Sequence, residues 1–179
     1  MAHLQQRDFF NKIKNIHPSY FSNSSVLEIG SLNINGTVRD FFTETTSYIG
    51  LDIGPGPCVD IVCQGQDYAE PDNTYDVVLS CECFEHTPYW LEIFANMIRM
   101  CKSNGLVLFT CASTNRREHG TTRTEPCSNP LACSDEWLYY RNLVEDDFTP
   151  HCKLLDSFKT YYFETNTESC DLYFYGIKK

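Results

Sequence analysis

Short apolar runs that stop at a polar residue or a glycine recur along the chain. Runs of this length, rich in β-branched and aromatic residues, predict strands over 25–29, 47–52, 59–62, 75–80 and 106–111. Helical spacing of apolar residues predicts helices over 9–16, 37–42, 90–101 and 135–144. Strands that alternate with helices favour a mostly parallel α/β sheet with helices on both faces.

The two ends of this pattern carry their own predictions. Strands over 153–163 and 171–177 are expected to pair as a C-terminal antiparallel hairpin. Ser103-Asn-Gly105 is expected to end the helix that begins at Trp90 with a left-handed cap. The polar stretch 112–134 is predicted to be a long active-site loop, and residues 1–23 a helical segment that caps the domain.

Length and composition limit the class of protein. With 179 residues, of which 42% are hydrophobic and 21% charged, the chain fits a single domain over 1–179. The net charge of −10 makes nucleic acid and anionic membranes unfavourable partners. No apolar run approaches the roughly 20 residues of a membrane span, and the first residues do not resemble a signal peptide.

The ten cysteines favour a reduced protein over a disulfide scaffold. Several, including Cys81, Cys101 and Cys111, lie inside apolar runs, where cysteine packs as a small hydrophobic residue. No Cys-x-x-Cys pair occurs, which disfavours a zinc knuckle. We therefore expect a cytoplasmic location.

A ligand-binding turn is predicted where the first strand ends. Val26-Leu-Glu28-Ile-Gly30 places an acid and a glycine before a Gly/Asn-rich turn, and Asp52 ends the next strand twenty-four positions after Glu28. An acid at that place suits the hydroxyls of a ribose. The turn lacks both the Gly-x-Gly-x-x-Gly spacing and a phosphate-loop lysine, and Glu28 would repel a pyrophosphate. A nucleoside without phosphates, carrying a cationic or amino group, fits better.

Four segments in order resemble a known family. They are Val26-Leu-Glu28-Ile-Gly30, the strand-end Asp52, the run from Tyr75 to His86, and Met100 to Thr110. Together they resemble class I S-adenosylmethionine-dependent methyltransferases. The chain has Leu32 and Ile34 where the family pattern has glycines. The resemblance implies a Rossmann-like seven-stranded fold, S-adenosylmethionine as cofactor, and transfer of its methyl group to a small polar acceptor.

The resemblance also implies which residues hold the cofactor. Glu28 and Gly30 would flank its methionine part, Asp52 would hold the ribose, and Ile53 would pack on the adenine. Gln64 would accept from the adenine amine, with Asp67 as the competing choice. The full predicted cofactor set is Glu28, Gly30, Ser31, Asn35, Asp52, Ile53, Gln64, Gly65, Ser80 and Cys81.

Catalytic residues are expected just after the fourth strand. A base is needed only if the acceptor must lose a proton, and His86 is the first candidate because an ordinary histidine titrates near neutrality. Glu85 is the second catalytic candidate, with Glu82 and His119 behind it. By a looser likeness, Trp137 and Arg141 are suggested as substrate-side residues. The cofactor site is expected to be covered either by the N-terminal segment around Tyr20 and Phe21 or by the loop 112–134.

Three alternatives stay open. Glu82-x-x-Glu85-His86 with His119 resembles the metal site of small-RNA 2′-O-methyltransferases, although the main prediction includes no metal. A second alternative is a module that binds S-adenosylmethionine without catalysis. A third is a dinucleotide or nucleotide-sugar enzyme, against which the missing phosphate-binding glycines argue. The identity of the acceptor and the oligomeric state are left open.

Overall fold

A seven-stranded sheet forms the centre of the protein in the computed structural model, which describes residues 3–124 and 138–179. The strand order is β3-β2-β1-β4-β5-β7-β6. The first five strands run parallel, while β7 is antiparallel to both β5 and β6. The strands are β1 Ser25–Ile29, β2 Ser47–Asp52, β3 Ile61–Val62, β4 Tyr75–Cys81, β5 Cys101–Ala112, β6 Phe158–Asn166 and β7 Asp171–Lys178. The predicted fold class, with its antiparallel hairpin, is confirmed.

Helices cover both faces because two separate apolar clusters form, one on each side of the sheet. On one face, α1 (Leu4–Ile16) inserts Phe9, Phe10 and Ile13. On the other, α2 (Trp90–Met100) inserts Phe94 and Met97. Single helical turns complete the layers: Pro18–Phe21, Arg39–Phe42, Phe84–His86, α3 Glu145–Phe148 and α4 Leu154–Ser157.

The strand order creates a crevice where the chain reverses direction across the sheet. Strand β1 lies between β2 and β4, so that Glu28 is level with Gly50 on one side and Leu79 on the other. Ligands of open α/β sheets bind outside the carboxyl ends of strands at such a switch point. The carboxyl ends of β1, β2 and β4 are therefore where the site is built.

The structure corrects the predicted helix over 135–144. Residues 135–137 lie outside the described part, and residues 138–144 are not helical. Their amides bond to other segments instead: Arg141 N–H donates to the Glu85 carbonyl and Leu143 N–H to the Ala112 carbonyl, both at 2.9 Å. Hydrogen bonds to carbonyls of distant segments thus replace local helical bonds.

Three predicted boundaries are also corrected. The helix from Trp90 ends at Met100, and Asn104, with φ of 64°, lies in the irregular start of β5 rather than in a cap. The predicted strand over 153–163 begins with the helical turn α4 and becomes strand only from Phe158. The predicted helix over 37–42 is one turn over Arg39–Phe42, and the predicted strand over 59–62 is only Ile61–Val62.

Within the described residues, no helix combines the length and the apolar character that crossing a membrane requires.

Candidate active site

A pocket opens at the carboxyl ends of β1, β2 and β4, with a volume of about 1140 Å³ including its open mouth. Nine of the ten predicted cofactor residues line it: Glu28, Gly30, Ser31, Asn35, Asp52, Ile53, Gln64, Gly65 and Cys81. The tenth, Ser80, is fully buried behind the wall. Of the two predicted catalytic residues, His86 lines the pocket, whereas Glu85 is buried behind it.

Gly30 shapes the turn that forms the pocket floor. Its φ of +79° is in the left-handed region, which a side chain disfavours, and its N–H donates to the Leu51 carbonyl at 2.8 Å. A Cβ on Gly30 would lie 2.6 Å from Cys83 Cβ and 2.8 Å from Cys83 Sγ. The positive φ and the close approach of Cys83 both require glycine at position 30. Because glycine has no side chain, the backbone itself faces the pocket.

Glu28 is a buried acid at the pocket wall. Its side chain belongs to a residue that is only 3% exposed, and Oε2 accepts a hydrogen bond from the Tyr48 hydroxyl at 2.7 Å. Burial raises the pKa of Glu28 to about 7, while the Tyr48 bond and the Arg39 guanidinium lower it by less. At neutral pH this carboxyl is therefore poised between its two forms, and a cation beside it would favour the charged form.

Asp52 is held rigidly by backbone amides. Its Oδ2 accepts from Leu32 N–H at 2.9 Å, and its Oδ1 accepts from Ile53 N–H at 2.8 Å. Burial raises the pKa of Asp52 above its ordinary value, and these amide bonds work in the opposite direction. Since each carboxylate oxygen has two acceptor positions, both retain capacity for a ligand hydroxyl.

The predicted adenine edge is built from the loop after β3. Gln64 Oε1 accepts from Gln66 Nε2 at 2.7 Å, and both residues line the pocket. The Gly65 carbonyl accepts from Asn96 Nδ2 at 2.7 Å, which fixes the loop on α2. Asp67, the competing choice, is exposed and does not line the pocket. Gln64 is therefore the better placed of the two.

His86 and His119 meet at the opposite side of the pocket. Their rings are 5.0 Å apart, edge to face, and the Tyr140 hydroxyl lies 3.1 Å from His119 Nδ1. Burial, assisted by the neighbouring His119, lowers the pKa of His86 to about 3. The prediction of His86 as a base depends on an ordinary histidine pKa near neutrality, which the buried His86 does not have. At neutral pH its imidazole is uncharged and serves as a hydrogen-bonding group.

Glu85 lies behind this histidine pair, and within the described part of the chain its buried carboxyl has no group that offsets the cost of burial. Neither carboxylate oxygen has a hydrogen-bond partner among the described residues, and Oε1 lies 3.9 Å from His86 Nε2. Burial and the nearby Glu82 raise the pKa of Glu85 well above its ordinary value. One ligand atom each from Glu85, His86 and His119 fall within 4.8 Å of one another, a spacing that a divalent cation could occupy.

Comparison with known proteins decides the family. A family model described as a methyltransferase domain matches residues 1–159. The chain belongs to this methyltransferase family. The class I S-adenosylmethionine-dependent methyltransferase predicted from the sequence is thus confirmed as family and fold. No curated protein matches the sequence.

Solved structures share the fold of this methyltransferase at low sequence identity. N-methyltransferase NodS from Bradyrhizobium japonicum WM9, in complex with S-adenosylhomocysteine, is 12% identical with a TM-score of 0.63, and 97% of this chain and 87% of NodS are covered. The 1,6-didemethyltoxoflavin-N1-methyltransferase of Burkholderia thailandensis, with its acceptor and S-adenosylhomocysteine bound, is 11% identical with a TM-score of 0.62, covering 98% of this chain and 83% of that one.

A third structure is much longer than this methyltransferase. Phosphoethanolamine N-methyltransferase 2 of Haemonchus contortus, in complex with S-adenosyl-L-methionine, is 14% identical with a TM-score of 0.64. The match covers 96% of this chain but only 52% of the Haemonchus protein. At these identities the three structures establish a shared fold.

Sequence reasoning missed part of the pocket of the methyltransferase. Gln6 of α1 lines it and is fully buried, although no predicted motif includes it. A signal was present, because Gln6 lies on the same helical face as Phe9, Phe10 and Ile13, and a polar residue on an apolar face is unusual. Other lining residues without a predicted role are Ile29, Leu32, Ile34, Thr37, Val38, Cys83, Thr87 and Ile93.

The suggested cover and substrate-side residues are placed differently. Tyr20 and Phe21 do not line the pocket; Tyr20 borders a separate hollow with Asn104, and Phe21 stacks on Phe42. Arg141 pairs with Asp147 and does not line the pocket either. Trp137, Cys127 and Cys133 lie outside the described residues. The N-terminal segment thus reaches the pocket through Gln6 of α1 and not through the aromatic pair.

Proposed function

We propose that this chain transfers the methyl group of S-adenosylmethionine to a small polar acceptor bound in the same pocket, and that it releases S-adenosylhomocysteine. The observation that carries the proposal is the convergence of nine predicted cofactor residues on one crevice at the switch point of the sheet. Sequence positions as distant as Glu28 and Gln64 line it together.

The residues present fit this cofactor. Glu28 offers a buried carboxyl to its cationic part, and Asp52 offers two fixed carboxylate oxygens to the ribose hydroxyls. Ser31 Oγ is buried, lines the pocket and has no partner among the described residues, as a group that awaits a ligand would. Bound there, the sulfonium supplies an electrophilic methyl group.

The chain's own contribution to the reaction is mainly positional. Methyl transfer from a sulfonium is an in-line displacement, for which an enzyme holds the two reactants close and excludes water. His86, neutral at physiological pH, is proposed to orient the acceptor by a hydrogen bond rather than to take up its proton. Glu85 lies behind the histidine, but its Oε1 is 3.9 Å from His86 Nε2, which is beyond hydrogen-bond distance.

A small acceptor is the proposed substrate class. The Burkholderia enzyme has 1,6-didemethyltoxoflavin bound, and a second structure of the Haemonchus enzyme has phosphomonomethylethanolamine bound, each together with S-adenosylhomocysteine. The cytoplasmic location stays a prediction.

A second candidate function rests on the grouping of Glu85, His86 and His119. Carboxylate and imidazole within 4.8 Å favour a metal-assisted transfer, for which a ribose hydroxyl at an RNA end is the proposed acceptor. Binding of Mn²⁺ in a calorimeter, present in the wild type and absent in His119→Ala, would support this candidate. Absence of binding in the wild type would reject it.

Calorimetry with S-adenosylhomocysteine tests the main proposal. We expect binding to the wild type and about 10- to 100-fold weaker binding to Asp52→Asn, because hydrogen bonds to a charged group are worth about 1.5–3 kcal/mol. Asp60→Asn is the matched control, since the Asp60 carboxylate also accepts a backbone amide, that of Gly50 at 2.7 Å, but does not line the pocket. No binding to the wild type, or binding of NAD instead, would overturn the proposal.

A further inference from the structure

The pocket contains buried polar side-chain atoms for which the described part of the chain offers no hydrogen-bond partner. Gln6 Oε1, Glu82 Oε2 and His86 Nδ1 are buried and have no hydrogen-bond partner within residues 3–124 and 138–179. All three residues line the pocket. Buried polar atoms are normally paired. Since Gln6 Oε1 and Glu82 Oε2 are acceptors, their lack of partners indicates a ligand that brings donors.

The orientation of Gln6 is set by its neighbours. Its Nε2 lies 2.7 Å from Thr110 Oγ1 and 3.5 Å from Glu82 Oε1. A carboxylate oxygen can only accept, so the amide nitrogen must face Glu82 and Thr110. The carbonyl Oε1 of Gln6 is therefore the atom left for a ligand.

Glu82 is held in an unfavourable backbone conformation at the end of β4. Its φ of +50° is in the left-handed region, which residues with a side chain rarely adopt, and its N–H donates to the Thr110 carbonyl at 2.8 Å. Such outliers persist where surrounding structure holds them and cluster at functional sites. This conformation keeps the Glu82 side chain buried, with 2% of its surface exposed.

The nearest cation does not neutralise Glu82 by direct contact. Arg116 Nη2 is 4.0 Å from Glu82 Oε2, while Arg116 Nη1 is engaged by Asp171 at 3.1 Å and by the Ser169 carbonyl at 2.6 Å. Glu82 Oε1 has the amide of Gln6, but Oε2 has no hydrogen bond among the described residues, and a buried carboxylate oxygen in that state is costly. A positively charged donor in the pocket would supply that partner.

We propose that the end of the pocket lined by Gln6, Glu82 and His86 is the acceptor subsite, and that it selects an amine as the methyl acceptor. The assignment rests on the proposed function and adds the class of substrate to it. The amine donates N–H bonds to Gln6 Oε1 and Glu82 Oε2. A hydroxyl brings a single donor, so it leaves at least one of these acceptors unpaired and turns its own lone pairs toward a carboxylate.

The chemistry balances with the residues present. An amine that enters as an ammonium ion loses one proton to the Glu82 carboxylate, from which it passes to solvent. The nitrogen lone pair then forms the bond to the methyl carbon as the carbon–sulfur bond breaks and its electron pair remains on sulfur. The product leaves as the N-methylated ammonium ion, so no further base is needed.

Three bisubstrate probes test the subsite directly. Each is S-adenosylhomocysteine with its sulfur replaced by a nitrogen that carries a third arm of two carbons, which ends in an ammonium, a hydroxyl or a methyl group. We expect the ammonium probe to bind wild-type protein about 10- to 100-fold more tightly than the other two, as charge-assisted hydrogen bonds imply. Glu82→Gln should remove most of that preference, and Gln6→Leu should reduce it.

Controls separate this inference from the proposed function. Glu44→Gln removes a carboxylate from an exposed position and should keep the full preference. S-adenosylhomocysteine itself should bind the wild type and both pocket variants within about twofold, since its contacts lie with Glu28 and Asp52. If it fails to bind the wild type, the proposed function falls.

The remaining outcomes decide the inference itself. If S-adenosylhomocysteine binds but the three probes bind the wild type equally, the amine subsite is wrong and the proposed function stands. A hydroxyl probe that binds best, and only with Mn²⁺ present, would overturn the amine in favour of a metal-held hydroxyl. If circular dichroism shows that Glu82→Gln does not fold, the relative affinities of the three probes for the wild-type protein still decide whether the subsite prefers an amine.

Discussion

The titration of Glu28 should make binding of a cationic ligand depend on pH near neutrality. Burial raises the pKa of this carboxyl to about 7 in the ligand-free protein. A sulfonium or ammonium group beside it favours the ionised form, so binding releases a proton. With a pKa of about 7, roughly a tenth of Glu28 is ionised at pH 6 and about nine tenths at pH 8, so affinity should rise about tenfold over that interval.

Calorimetry with S-adenosylmethionine at several pH values measures this effect. Glu28→Gln is the matched control, because it keeps the size of the side chain and reports any titration of the ligand's own amino group. Tyr48→Phe removes the hydrogen bond to Glu28 Oε2 that lowers its pKa, so the rise in affinity should move to higher pH. The same pH profile in wild type and Glu28→Gln would refute the reasoning.

The ionisation of Glu28 favours binding of a cationic ligand but lowers the stability of the folded protein. Because the folded pKa of about 7 exceeds the ordinary value of 4.5, the folded state holds this proton more tightly than the unfolded state. The stabilisation is complete below about pH 4.5 and is lost as pH rises to about 7, and the difference is worth about 3 kcal/mol. Glu28→Gln should therefore raise the free energy of unfolding at pH 8 by up to that amount, while it weakens ligand binding. Urea unfolding at pH 5 and pH 8 checks the sign.

Two further predictions concern the pocket walls. His86 should stay neutral from pH 8 to pH 5, because burial lowers its pKa to about 3. A nuclear magnetic resonance titration of labelled histidines measures this, with the His86 signal assigned from the His86→Asn variant. A titration midpoint near 6.5 for His86 would contradict the prediction. Gly30→Ala should abolish S-adenosylhomocysteine binding and lower unfolding stability by about 2 kcal/mol or more, since its Cβ would meet Cys83 at a site with φ of +79°. Adding Cys83→Gly should restore only part of the stability because the φ remains, and full stability in the single variant would contradict the steric argument.

Much of the site was predictable because it depends on local patterns. Strands β1 and β2 end at Ile29 and Asp52 as predicted. An apolar run followed by a polar residue reports where a buried strand stops, and parallel strands bring their carboxyl ends together. Glu28, Gly30 and Asp52 could therefore be placed at one edge of the sheet from the sequence.

The remaining features depend on contacts between distant segments. Residues 138–144 have a helix-like sequence, but the carbonyls of Glu85 and Ala112 take their amide hydrogen bonds. Gln6 reaches Thr110 across more than a hundred positions, which no sequence spacing encodes.

The sequence by itself determined the mostly parallel α/β sheet and the polar residues at its strand ends, because periodicity and strand ends are local properties, and the resemblance of four segments indicated the family. Only the tertiary structure decided the chemistry of the pocket. The pKa values of Glu28 and His86 and the unpaired acceptors of Gln6 and Glu82 follow from burial. The burial of a group depends on all the segments that pack around it, and these come together only when the chain folds.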